Sequence, residues 1–280
     1  MSSGRLILCA TPIGNLEDLS QRAIRTLSEA SVIACEDTRR TRKLLSHLGI
    51  SAPELVVYNE GNERRRADQM IERITRGEAV VLVSDAGMPG LSDPGYRLVV
   101  GCANRGVEID VIPGPNAAVS ALAISGLPPG RFVFEGFLPR KSSERIRHIE
   151  SLRSEERTLI LYESPHRIEA CLGDLSEVLG DRQAALVREL TKLHQEVRRG
   201  TLSELAQGAV DDPVRGEVVL VVQGAVGRAR PHTDRAELAR RASELMDAGA
   251  QRSEAMKIVA RDAGVRKREV FDALLEVQRD

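Results

Sequence analysis

The sequence predicts an α/β protein: two consecutive α/β domains and a small helical, helix-turn-helix-like appendage. Three observations predict it. Apolar strand-like runs alternate with helix-like stretches through the first half. The stretch Ser125–Gly130 (SGLPPG) interrupts that alternation with adjacent prolines and glycines. Beyond Gly224–His232 (GAVGRARPH) only helical periodicity remains. The expected divisions are residues 1–124, a linker at 125–130, a second domain at 131–226 and a helical region at 233–280.

The elements follow in order. Arg5–Ala10 (RLILCA) is a strand, and Thr11–Asn15 (TPIGN) is the loop after it. Asp18–Leu27 is helix-like, with Leu19, Ala23 and Leu27 on one face. Val32–Cys35 is a short strand that ends in Glu36–Asp37. Thr38–Leu48 is a basic helix closed by Gly49. Leu55–Tyr58 is a strand, and Asn62–Arg76 a charged helix ended by Gly77. Ala79–Gly95 (AVVLVSDAGMPGLSDPG) is a buried strand that breaks at Ser84–Asp85 into a loop rich in glycine and proline. A helix over Tyr96–Asn104, a strand over Val107–Ile112 and the loop Pro113–Ala118 (PGPNAA) complete this half. The alternation implies a largely parallel sheet.

The second half restarts with a strand at Phe132–Phe137 and a polar helix at Ser142–Arg153. A strand at Thr158–Tyr162 leads to Ser164–Pro165, which reads as an N-cap followed by a first-turn proline. Ala184–Arg188 is a strand, Thr201-x-x-Glu204 a capping box, and Glu217–Val222 a buried strand. A mixed sheet is expected. In the appendage, Asp234-x-x-Glu237 caps one helix. Ser253–Ala260 and Lys267–Val277 form a pair joined through Gly264, with Arg261, Arg266, Lys267 and Arg268 at the turn.

Composition excludes several function classes. Hydrophobic content of 42% and charged content of 29% describe a globular protein. A net charge of -1 confines any nucleic-acid site to a local patch. With no Trp, four Phe and three Tyr, aromatic stacking platforms for single-stranded RNA are not expected. Cys9, Cys35, Cys102 and Cys171 are far apart and form no CxxC, so they read as buried thiols of a reducing compartment. No metal site is expected. The apolar run near the N-terminus is too short for a signal peptide, and no run approaches the ~18–20 residues of a spanning helix. The cytoplasm is the expected location, with no membrane contact.

Three loops, TPIGN, SDAGMPG and PGPNAA, leave strands at one edge of the expected sheet. Neither a P-loop nor a GxGxxG fingerprint is present, and basic residues are few in these loops. Gly, Pro, Ala, Met and one Asp suit a partly apolar ligand with hydroxyl or ammonium donors. An adenosine derivative without phosphates fits.

The stretches LCATPIGNLEDLS, CEDTRRT, VSDAGMPGLSDPG, VIPGPNAAVSAL, EGFLPRK, LYESPHRI and RELTKLHQE, in that order, resemble the tetrapyrrole-methylase superfamily. Within it they resemble the small-subunit ribosomal RNA methyltransferases that act on a cytidine 2′-hydroxyl of 16S rRNA (cytidine 1402, customary rRNA numbering). The resemblance covers nearly the whole chain. One departure is Met88, where the family pattern has Thr. The resemblance implies tetrapyrrole-methylase-type α/β domains with S-adenosylmethionine in the cleft between them, and a homodimer. Carried over by motif, the cofactor residues are Pro12, Ile13, Ser84, Asp85, Gly87, Met88, Asn116 and Ala117. Tyr162, Glu163, Leu190, Gly216 and Glu217 close the site from the second domain.

Methyl transfer to a ribose hydroxyl calls for alignment and a proton acceptor. The candidates are Asp37 first, then Glu36, Glu163, Glu189 and Lys192. Each can equally be a helix cap or a surface ion pair. His166 reads as a structural or exposed group. Arg39, Arg40, Arg42 and Lys43 suit RNA phosphates, as do Arg140, Lys141, Arg145 and Arg147, Arg167, and the appendage residues Arg266, Lys267 and Arg268. For each cluster the alternative is a solvated helix face. Three functions compete: an rRNA ribose methyltransferase acting on the small subunit, a methyltransferase for a tetrapyrrole or other small molecule, and a non-enzymatic RNA-binding assembly factor. The basic helix and the appendage favour RNA, and the three loops favour an enzyme.

Overall fold

A computed structural model describes residues 4–225 and 235–277. Its first sheet contains β1 (Arg5–Cys9), β2 (Val32–Cys35), β3 (Glu54–Val57), β4 (Ala79–Leu82) and β5 (Glu108–Ile112). The order is β3-β2-β4-β1-β5, and every pairing is parallel. Alternate residues of these short apolar strands enter opposite cores. Ile7, Cys9, Ile33, Cys35 and Val81 meet α1 (Gln21–Glu29) and α2 (Thr38–His47) through Ala23, Leu27 and Leu45. Leu6, Val32, Ala34, Val80 and Leu82 meet α3 (Glu63–Thr75) and α4 (Tyr96–Ala103) through Met70, Ile74 and Leu98. Because the strands are parallel, the loops after β1, β2, β4 and β5 all emerge at one edge.

The first helix is shorter than expected. Ser20 caps it by accepting the Ala23 N–H at 3.1 Å. Leu16–Asp18 forms a separate 3₁₀ turn capped by Asn15. Leu19 is still buried, because the turn delivers it to the same core.

The second sheet is mixed. It orders β6 (Phe132–Phe137), β7 (Thr158–Glu163), β8 (Gln183–Arg188), β9 (Glu196–Thr201) and β10 (Val218–Val222) as β6-β7-β10-β8-β9. β6 and β7 are parallel, and the remaining pairs antiparallel. One face carries α6 (Ser142–Ser151), α7 (Ile168–Leu179) and α8 (Leu202–Asp211) over a core that includes Ile149, Leu172 and Leu205. The capping box of α8 is formed by Thr201 and Glu204. α7 is regular only from Ile168; the turn before it closes on the Ser164 carbonyl, which accepts the Arg167 and Ile168 N–H groups.

Two elements leave no mark in the sequence pattern. α5 (Ala117–Ser125) packs Ala118, Ala121 and Leu122 onto Ile160, Ala185, Val187 and Val221 of the second sheet. Its sequence, AAVSALAIS, is small and apolar on every side, so no amphipathic stripe marks it. β9 (EVRRGT) lacks an apolar face because it is an edge strand whose charges are paired, Arg198 with Glu196 and Asp212, and Arg199 with the Ser125 carbonyl.

Arg145 departs from its expected phosphate role. Its side chain is 7% exposed and its Nε donates to Asp174 Oδ2 at 2.6 Å. Truncating one partner of a buried pair strands the other. Arg145→Ala is expected to destabilise the fold by roughly 3–5 kcal/mol in denaturant titration. A change below ~1 kcal/mol, the range of exposed pairs, would return Arg145 to the surface set.

The appendage is a separate compact unit of α9 (Arg235–Asp247), α10 (Arg252–Ala263) and α11 (Lys267–Val277). Leu238, Ala242, Val259, Val270 and Leu274 form its core. Gly264 terminates α10 in the left-handed conformation, φ 66°. The expected cap at Asp234 and residues 226–232 of the expected linker lie outside the described residues.

Candidate active site

The loops at the edge of the first sheet are tied together by backbone bonds. Thr11 and Gly87 exchange N–H···O bonds at 2.9 and 3.1 Å. Thr11 Oγ1 donates to the Ser84 carbonyl at 3.1 Å, and Ser84 Oγ to the Gly87 carbonyl at 3.1 Å. The Asp85 N–H donates to Glu36 Oε1 at 3.1 Å, while the Asp37 N–H reaches Asp85 Oδ1 at 3.3 Å. Glu63 Oε1 accepts the Gly95 and Arg97 N–H groups at 3.0 and 3.2 Å, anchoring the far end of the β4–α4 loop. Between these anchors Ser92 holds φ at 60°, a strained value for a non-glycine residue. Asn116 Oδ1 accepts the Val119 N–H and starts α5 at the same edge.

A cavity of about 380 Å³ lies between these loops and the second sheet. Ile13, Asp85, Gly87, Met88, Asn116, Ala117, Tyr162, Glu163, Leu190, Gly216 and Glu217 line it, as do Glu36 and Arg40. Pro12 and Ser84 do not; they line a neighbouring cavity of about 340 Å³. Arg40 and Asp85 border both, and Arg40 Nη1 is 3.2 Å from Asp85 Oδ2.

The larger cavity is graded. Beside α5 its wall is apolar, with Ala117, Val187, Leu190 and Val219. Near β2 it is acidic, with Glu36, Asp85 and Asp93. Glu163 and Glu217 add carboxylates from the second sheet, against the single guanidinium of Arg40. Glu163 is buried, and its Oε2 has no hydrogen bond although Arg167 Nη2 lies 3.2 Å away. The donor set fits a cation with an apolar body and does not fit a polyphosphate.

Asp93 is the residue that sequence reasoning missed. Burial, the Glu36 charge and the Asp85 and Glu60 charges push its carboxyl up to about 7. Burial likewise raises the Glu36 carboxyl. The sequence showed only a turn, SDPG; the burial and the facing carboxylates come from other loops. Leu91, Ser92 and Phe137 also line the cavity without any sequence signal.

The other acid–base candidates have structural occupations. Asp37 lines neither cavity; it caps α2 through the Arg39 N–H at 2.8 Å and pairs with the Arg39 guanidinium. Those bonds hold its carboxyl down to about 2. Glu189 accepts the Glu217 N–H and a bond from Lys192 Nζ, both at 2.9 Å, and these lower its pKa. Burial pulls the Lys192 ammonium down, but Glu189 and Glu217 outweigh it and leave it raised. These groups fasten the β8–β9 loop to the start of β10.

The basic candidates separate in the same way. Arg40 and Lys43 face a cavity, whereas Arg39 and Arg42 do not line one. Arg167 Nη2 donates to the Leu138 and Pro139 carbonyls at 2.9 and 3.0 Å, so it braces Glu163 and the loop after β6. Arg140 and Lys141 are exposed before α6, with Lys141 paired to Glu144. Arg266 pairs with Glu269, Lys267 donates to Ser253, and Arg268 is exposed, all at the α10–α11 turn of the separate unit.

Known proteins share this fold. Residues 5–206 match the family profile of Tetrapyrrole (Corrin/Porphyrin) Methylases. The chain is 45% identical over 272 residues to the ribosomal RNA small subunit methyltransferase I of Halalkalibacterium halodurans, covering 96% of this chain and 94% of that protein. Among solved structures, a diphthine synthase is similar with a TM-score of 0.61 at 17% identity, covering 78% of this chain and 89% of that one. A uroporphyrin-III C-methyltransferase of Thermus thermophilus complexed with S-adenosylhomocysteine has a TM-score of 0.54 at 21% identity, covering 79% of this chain and 97% of that one. The chain therefore belongs to the tetrapyrrole methylases and, within them, to the ribosomal RNA small subunit methyltransferase I family.

Proposed function

We propose that the chain catalyses S-adenosylmethionine-dependent methylation of a ribose 2′-hydroxyl in 16S rRNA of the small ribosomal subunit, at the decoding-centre cytidine numbered 1402 in customary rRNA numbering. The observation that carries this reading is the graded cavity: an apolar part beside α5 and a cluster of carboxylates at Glu36, Asp85 and Asp93. When bound, S-adenosylmethionine supplies an electrophilic methyl group on a cationic sulfur. Ile13, Ala117, Leu190 and Val219 provide apolar contact for its adenosine, and the backbone of Asp85–Met88 and Gly216–Glu217 provides polar contact. The carboxylates favour the positive charge. Holding donor and acceptor in line supplies much of the rate.

A ribose hydroxyl must lose its proton during transfer. Asp93 takes that role: it faces the cavity, and its carboxyl is balanced near neutral pH by burial and like charges. Glu36 instead holds the Asp85 N–H, and Glu163 is braced by Arg167, so both shape the site.

The test is transfer of labelled methyl to small subunits lacking the modification, followed by alkaline hydrolysis. A 2′-O-methyl group blocks cleavage at its own phosphodiester. The label is expected in one alkali-resistant dinucleotide that contains the cytidine. Label released in an ordinary mononucleotide would mean base methylation, and label on uroporphyrinogen alone would mean a small-molecule enzyme.

A further inference from the structure

The second cavity, about 340 Å³, lies between the β1–α1 loop, the end of β4 and one face of α2. Its volume is in the range of small-ligand sites. Leu16, Leu27, Leu44, Leu45 and Val83 give it an apolar floor. Its basic side is set by helical spacing: Arg40, Lys43 and His47 stand at i, i+3 and i+7 of α2 and line one wall. Among the described residues neither Lys43 nor His47 has an ion-pair partner, and Arg40 is paired with Asp85, on the partition between the two cavities.

An apolar floor beneath a row of nitrogen donors matches one nucleotide unit: a flat base, a hydroxylated ribose and an anionic phosphate. We propose that this second cavity seats the acceptor nucleotide, with the base over Leu16 and Leu44, the phosphate at Lys43 and His47, and the ribose at the Arg40–Asp85 partition, where its 2′-hydroxyl reaches the larger cavity and Asp93. The inference rests on the methyltransferase reading of the larger cavity. It adds the place of the acceptor and a role for the partition. The phosphodiester competes with Asp85 for Arg40, so substrate entry releases the Asp85 carboxylate toward the cationic donor. Donor and acceptor then occupy separate chambers that meet at the Arg40–Asp85 pair, at the same β2 end where Asp93 lies.

Equilibrium dialysis with labelled cytidine 5′-monophosphate tests the assignment, with S-adenosylhomocysteine saturating the larger cavity. The protein is expected to bind the mononucleotide, and the Lys43→Ala/His47→Ala double variant to bind it about tenfold or more weakly. Cofactor affinity of that variant is expected to equal the parent's. Its KM for unmodified small subunits should rise, with a salt slope shallower by about 0.7 for each phosphate no longer neutralised. A parent that does not bind the mononucleotide, or a variant that binds it equally well, overturns the assignment. Mononucleotide binding by the parent that the variant abolishes, together with no methyl transfer by the parent to any RNA, would instead overturn the methyltransferase reading alone.

Discussion

Asp93→Asn is expected to lower the single-turnover rate of methyl transfer, read at saturating cofactor and RNA, by roughly 10²–10⁴-fold. The amide keeps the shape of the side chain but cannot accept the proton released as the new oxygen–methyl bond forms and the carbon–sulfur electron pair leaves with sulfur. The parent rate should climb with pH through the range near 7 that burial and the facing carboxylates give Asp93. That climb should vanish in the variant. Groups facing Asp93 are Glu36 on the β2–α2 turn, Glu60 before α3, Asp85 on its own loop and Tyr162 on β7. None of them is altered in this variant, so a surviving climb of the same midpoint would assign the proton to one of them.

The same substitution has a stability signature of definite sign. The Asp93 carboxyl is raised from its ordinary 3.8 to about 7 in the folded protein. Between those values the native state binds more protons than the unfolded chain. Stability on this account falls as pH rises through that window and is level above it. Asn cannot ionise and escapes the fall. Asp93→Asn should therefore resist denaturant better than the parent at about pH 8, and its advantage should shrink toward pH 5. A carboxyl raised by burial and like charges is thus maintained at a cost to the fold.

Gly14→Val is expected to weaken S-adenosylmethionine binding by roughly ten- to a hundredfold. A Cβ at Gly14 would lie 2.5 Å from Lys192 Cγ, 2.8 Å from Thr191 Oγ1 and 3.1 Å from the Leu190 carbonyl. Here the loop after β1 touches the loop after β8, and Ile13 and Leu190 beside this junction both line the larger cavity. The second loop has little freedom to yield, since Glu189 and Thr191 already hold φ at 49° and 66°. A larger side chain must part the two walls. Isothermal titration with the cofactor reads the effect, and Gly14→Ala should fall between parent and Val. Parent-like affinity in Gly14→Val would show that the walls do not need this close approach.

Most of the first sheet was legible because each of its buried strands is an apolar run stopped by a turn signal. The edge that carries the three loops was legible for the same reason, since parallel strands bring every such turn to one side. Illegible features had a common cause: their determinants are distant in sequence. AAVSALAIS carries no periodicity because it is small and apolar on every side, and its partner, the second sheet, comes later in the chain. Asp37 looked like a free carboxylate at a strand end, and its bonds to Arg39 make it a cap. Asp93 looked like a turn residue, and its chemistry comes from Glu36, Glu60 and Asp85. Arg145 and Arg167 show the limit of counting basic residues, because one is paired inside the fold and the other braces Glu163.

The placement of β1 between β4 and β5 has a consequence for how the protein is made. β1 pairs Leu6 with Val80 and Ile109, residues synthesised many turns of chain later. At ~5–20 residues per second, RLILC waits several seconds with both edges open. Such long-range parallel pairing is slow to form and exposes apolar strand edges meanwhile. The TPIGN loop is therefore the earliest part of the pocket to be synthesised and among the last to be ordered. Chaperone capture of nascent chains should peak before β4 emerges and decline once β5 closes the sheet.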